Sequence, residues 1–136
     1  MQLDKVQPKN KRQLKQLINY AFKHNIYDLN FIDTSEITDM SLLFSNCMHN
    51  FDVSSWDVSN VTNMGYIFYH CKNFNCDLSN WDVSKVKNMN YMFYNCKKFN
   101  CDLSYWDISN MTRWKNTFCG CNKMTIPNWY KLYHKK

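Results

Sequence analysis

Glycine is nearly missing from this chain. It occurs twice in 136 residues, beside one alanine, two prolines and two arginines. With two isolated glycines there is no glycine-rich loop to cradle a phosphate, and no H-E-x-x-H segment offers a zinc site. No apolar run approaches the roughly 20 residues that span a bilayer. The first twenty residues, MQLDKVQPKNKRQLKQLINY, lack the apolar core of roughly 7–15 residues that a signal peptide needs. The sequence therefore leads us to expect a protein that stays in the cytoplasm, one that leaves the cell by another route, or a chain that has been trimmed.

Apolar side chains make up 45% of the chain and aromatic ones 17%, too many for a disordered sequence. The length suits one domain with a modest core. Net charge is +6 but unevenly placed: +5 over residues 1–27, −5 over 28–107 and +6 over 108–136, where no acid occurs. Basic charge confined to the ends does not form the continuous stripe of a nucleic-acid binder, so that class is disfavoured.

A period of 25 residues runs through the chain. Trp56, Trp81 and Trp106 are in step, as are Phe68, Phe93 and Phe118, and Cys71, Cys96 and Cys121. A step of 24 extends the pattern back to Ile32, Asp33, Ile37, Met40, Phe44 and Cys47. This defines units 32–55, 56–80, 81–105 and 106–130. Units of this size stack, each burying an apolar side that it cannot bury alone. Met64, Ile67, Phe68 and Cys71 follow i, i+3, i+4, i+7 spacing, which predicts a short helix with Gly65, Tyr66, Tyr69 and His70 outward. CDLSNWDVS alternates apolar and polar residues, which predicts a short strand. The expected fold class is therefore an α/β solenoid.

Three segments are expected: an N-terminal helical cap at 1–27, a repeat solenoid at 28–126, and a C-terminal cap with a basic tail at 127–136. In the first, Leu14, Leu17, Ile18, Ala21 and Phe22 share one helical face behind a candidate N-cap, Asn10. In the last, Trp129 or Leu132 is expected to tuck against the final unit, with the lysines solvated. An imperfect cap there would invite end-to-end pairing of copies.

The phrase NWDVSKVKNMNYMFYNCKKFNCDLS resembles the 25-residue repeat of BspA-like leucine-rich-repeat surface proteins of the mycoplasma type. DLNFIDTSEITDMSLLF resembles the usual start of such arrays. The resemblance covers about residues 28–126. It implies a leucine-rich-repeat-like right-handed coil of about four units, and a surface or secreted protein, with adhesion or host interaction proposed for some members. It implies no catalytic residue.

Seven cysteines invite a metal or redox reading. Four of them, Cys47, Cys71, Cys96 and Cys121, share one repeat position, and Cys76 and Cys101 share another, which Phe51 and Ile126 fill in the outer units. Thiols at apolar positions read as core residues, and the spacing supplies no zinc pair beyond Cys119 and Cys121. We expect no metal and no cofactor. Asp33, Asp57, Asp82 and Asp107 form one carboxylate series, and Asp52, Asp77 and Asp102 another. Repeated aspartates before turns accept backbone N–H bonds more often than they hold calcium. His24, His49, His70 and His134 are scattered, and no nucleophile has a base partner. The chain reads as a non-enzyme, with no catalytic residue.

Tyr66 and Tyr91 share one outward position, and Tyr69 and Tyr94 another, with Lys72 and Lys97 beside them. Tyrosine offers large contact area at low entropic cost, so these six residues are the candidate binding site for a protein partner. The competing reading is a purely structural ladder in a structural or self-assembling repeat protein with no separate ligand.

Overall fold

A computed structural model describes residues 4–134. It contains two helices, α1 (Lys11–Lys23) and α2 (Asn128–His134), one near each end. Asn10 caps α1 by accepting the amide of Gln13. The helix ends where Asn25 turns left-handed at φ 58°. There the amide of Ile26 reaches back to Ala21 and that of Asn25 to Phe22, which satisfies the final carbonyls. Leu14, Ile18 and Ala21 are buried, and Phe22 packs against Phe44 and Phe51 of the first unit.

Between the helices the expected fold class needs correction. From the end of α1 to the start of α2 there is neither helix nor strand. Parallel pairing is limited to isolated bridges such as Asp39–Asn63, Asn63–Asn88 and Asn88–Arg113. With no sheet and with helices only near the ends, the chain is not an α/β solenoid and not a leucine-rich-repeat-like coil.

The expected short helix is in fact a pair of successive four-residue turns. Ile67 donates to the Met64 carbonyl and Cys71 to that of Phe68. Tyr66 and His70 take φ of 60° and 59°, the left-handed region that a type II turn requires at its third residue. Two such turns end to end bury residues 1, 4, 5 and 8, so Met64, Ile67, Phe68 and Cys71 face the core with helical spacing and no helix. Gly65, expected outward, is also buried. The expected strand fails for a related reason. In residues 76–84 the aspartates capture the amides two residues on, Asp77 that of Ser79 and Asp82 that of Ser84, which removes donors that a strand would use.

The freed amides stack the units instead. Met40, Leu42, Phe44 and Asn46 donate to Asn63, Gly65, Ile67 and Tyr69 in the next unit, at 2.7–3.0 Å. Met64, Tyr66, Phe68 and His70 donate likewise to Asn88, Asn90, Met92 and Tyr94. Met89, Tyr91, Phe93 and Asn95 continue to Arg113, Lys115, Thr117 and Cys119. On this side every unit presents N–H groups forward and C=O groups backward.

Inside the stack the rings form columns. Phe44, Phe68, Phe93 and Phe118 lie 5.5–5.8 Å apart and nearly parallel. Phe51, Phe74 and Phe99 form a second column against the first. Phe51 holds the sequence position of Cys76, yet its ring fills the column of Phe74. The residue missing from the first unit shifts the chain and lets one side chain serve there. The indoles of Trp56, Trp81 and Trp106 donate to the carbonyls of Leu29, Val53 and Leu78, one per unit.

α2 packs Trp129 and Tyr130 against Phe118. Leu132 is 66% exposed, so of the two expected anchors Trp129 is the one that docks. Lys135 and Lys136, expected to be solvated in the basic tail, lie outside the described residues.

Candidate functional site

The left-handed turns decide where the tyrosines stand. Tyr66 and Tyr91 occupy the left-handed residue of their turns, at φ 60° and 56°. Their rings stack at 4.9 Å with 16° between planes. Tyr69 and Tyr94 stack at 5.2 Å with 14° between planes. Contacts across the pairs, 5.2 Å for Tyr66–Tyr69 and 5.5 Å for Tyr91–Tyr94, join the four rings into one patch. All four are half-buried, so one side of the patch faces solvent.

Sequence reasoning missed two members of this surface. The His70 ring lies edge-on to Tyr69 at 4.2 Å and meets Tyr94 at 5.4 Å. Asn95 reaches His70 Nδ1 at 3.5 Å and accepts from the Lys97 ammonium at 3.3 Å. His70 and Asn95 sit at the same step of the repeat, which was the available signal. Lys72 and Lys97 are exposed. Among the described residues the Lys72 ammonium has no hydrogen bond or ion pair. The patch stops at its ends, where Leu42, Ser45, Asn116 and Cys119 replace the tyrosines.

The other candidate groups are engaged in structure. Asp33, Asp52, Asp57, Asp77, Asp82, Asp102 and Asp107 each accept the amide of the residue two positions on. Bonds from Ser79 and Ser84 hold the carboxyls of Asp77 and Asp82 below the ordinary value. No group of three or more His, Cys, Asp or Glu among the described residues is arranged to hold a metal ion.

All seven cysteines are free thiols. Cys71, Cys96 and Cys121 aim their sulfurs at the carbonyls of Phe44, Phe68 and Phe93. Burial pushes the Cys71, Cys76 and Cys121 thiols up to about 12 and raises Cys96 as well. His24 contacts its own helix at Tyr20, and the His49 ring meets Phe22 and Tyr27 at a tilt. No helix among the described residues is long and apolar enough to cross a membrane.

No curated protein and no solved structure matches the chain. A family model does match, over residues 12–129, which takes in nearly all of α1 and of the repeat units and the start of α2. The chain therefore belongs to the family described as Mycoplasma protein of unknown function, DUF285.

Proposed function

We propose that this chain is a non-enzymatic protein-binding module whose contact surface is the patch of Tyr66, Tyr69, Tyr91 and Tyr94, flanked by Lys72 and Lys97. The resemblance of its repeat to BspA-like surface proteins agrees with this reading and suggests adhesion or host interaction. One observation carries it. Tyr66 and Tyr91 stand at left-handed φ, a conformation that costs a bulky residue about 1–2 kcal/mol. Asn116, at φ 51°, holds the same step in the last unit. Asparagine tolerates that conformation far better than tyrosine. Tyrosine thus stands twice, half-exposed, where asparagine satisfies the same turn.

The test follows from that comparison. A Tyr66→Asn/Tyr91→Asn variant keeps turns of the kind that Asn116 already makes. Wild type and variant are used as baits in extracts of host and source cells, and any captured protein is then titrated with both purified forms. Loss of the partner with unchanged or higher thermal stability supports the binding module. A large loss of stability, or equal capture by both baits, assigns the rings to a structural ladder.

A further inference from the structure

We infer that this chain self-associates, with Tyr105 of one copy seated in the groove between α1 and the first repeat unit of another. The groove, of about 390 Å³, is lined by Lys11, Arg12 and Lys15 of α1 and by Leu42 and Leu43 of the first unit. Its wall is mostly apolar. The Lys11 and Lys15 ammonium groups donate to the carbonyls of Ser41 and Leu43, at 3.3 and 2.8 Å, which lays their methylene stems along the wall. Leu42 adds a side chain left 57% exposed. Lys11 already pairs with Asp39 at 3.4 Å. Arg12 and Lys15 are exposed, and the Arg12 guanidinium has no hydrogen bond or ion pair among the described residues. Such a groove suits an apolar group that carries negative charge beside it.

The chain itself holds such a group. Tyr105 is 93% exposed. It sits in a tight turn closed by the Trp106 amide on the Leu103 carbonyl, at 3.2 Å. Leu103 and Trp106 are buried, so both ends of the turn are anchored and Tyr105 is held out in solvent. Asn80 and Ser55, one and two periods earlier, occupy the same step. The turn therefore has no need of an aromatic residue. Among the described residues the Tyr105 side chain has no hydrogen bond or ring contact. Asp102 and Asp107, both exposed, flank it in the sequence.

Charge and size select a second copy as the occupant. Residues 1–27 sum to +5 and residues 28–107 to −5, so the basic groove and the acidic flanks of Tyr105 attract between copies. The groove is roomy enough for one aromatic ring, and a guanidinium such as that of Arg12 gains by lying over a ring face. Ring and groove are different surfaces, so the contact is heterologous. One ring in one groove is a small interface, and its affinity should be weak, on the order of 100 µM.

Sedimentation of the full chain from about 20 µM to about 1 mM reads the association. Tyr105→Ser, which places there the residue that Ser55 supplies, should weaken it about tenfold or more. Arg12→Glu/Leu42→Asn should do the same, since asparagine suits the left-handed φ of 63° at residue 42. Neither variant removes a buried side chain, and equal urea midpoints check that the fold is kept. The deciding sample mixes the two variants. One keeps the groove and the other keeps the ring, so the mixture should form mixed dimers where each variant alone is monomeric. Three results would overturn the proposal: wild type monomeric throughout, association unchanged in either variant, or a mixture that stays monomeric. The first would leave the groove to an acidic, aromatic segment of another protein. Tyr91→Asn should self-associate like wild type, so this contact and the tyrosine patch fail separately.

Discussion

The indole N–H of Trp129 donates to the carbonyl of Leu103 at 2.9 Å. The same bond joins Trp106 to Leu78, Trp81 to Val53 and Trp56 to Leu29. Trp129 follows Trp106 by 23 residues, two short of the period, and belongs to α2 rather than to a turn. A helix has thus delivered the side chain that the repeat would have placed next. Replacing either indole by a phenyl ring leaves a sheltered carbonyl without its donor, at a cost of about 1–3 kcal/mol. Trp106→Phe should lie toward the upper end and Trp129→Phe, whose ring is half-buried, toward the lower. Urea denaturation at constant m-value measures both. No loss for Trp129→Phe would mean that α2 is not fastened by this bond.

Acid should weaken the fold through the turn aspartates. Serine bonds hold Asp33, Asp77, Asp82, Asp102 and Asp107 below the ordinary carboxyl value of 3.8. At Asp39 and Asp52 desolvation is the largest cause and pulls upward, yet Ser41 with the Lys11 ammonium at Asp39, and Ser54 with Asn30 and Cys76 at Asp52, together outweigh it. A carboxyl whose value is lower folded than unfolded stabilises the fold above its unfolded value, and that stability is lost as pH falls through the folded one. Stability should therefore be flat from pH 7 to about 5 and fall below about 4. Asp77→Asn/Asp82→Asn keeps the acceptor for each amide but removes two titrating groups. Its urea midpoint should fall less steeply between pH 4 and 2 than that of wild type. An unchanged slope would place the acid sensitivity elsewhere.

Thiol chemistry should single out one cysteine. Cys119 is exposed, Cys47 half-buried and the other five buried. A buried thiol pushed up to about 12, as at Cys71 and Cys121, holds almost no thiolate at pH 8. Native protein treated briefly with a chromogenic disulfide reagent should label Cys119 first, and Cys119→Ser should remove that fast phase. The five buried thiols should react only after denaturant is added. Fast labelling of Cys71 or Cys96 in native protein would contradict the packing of those sulfurs on backbone carbonyls.

The residues that misled secondary-structure reasoning did so for a definable reason. Met64, Ile67, Phe68 and Cys71 have the spacing of a helix face because two linked four-residue turns also return the chain to one side at those positions. Burial pattern alone does not separate the two solutions. Glycine at the left-handed turn positions would have pointed to turns, but those positions carry Leu42, Asn46, Tyr66, His70, Tyr91, Asn95 and Asn116. Only Gly120, at φ 83°, shows the expected residue. The candidate surface was more legible. Outward tyrosines at a fixed step had to stack once the units stacked, and they do, whereas His70 was passed over because its partner at the same step is Asn95 and not a second histidine.

The order of the chain alone determined which side chains share a column. Once units 24 or 25 residues long stack in step, Phe44, Phe68, Phe93 and Phe118 must meet, and so must the tryptophans and the aspartate turns. Tertiary structure decided the backbone that carries them. Amides that a helix or strand would use locally are spent on the neighbouring unit or on an aspartate side chain, and such long-range competition leaves no mark on local propensity. It also decided the ends, where Lys11 and Lys15 of α1 meet the carbonyls of Ser41 and Leu43 and α2 packs Trp129 and Tyr130 against Phe118.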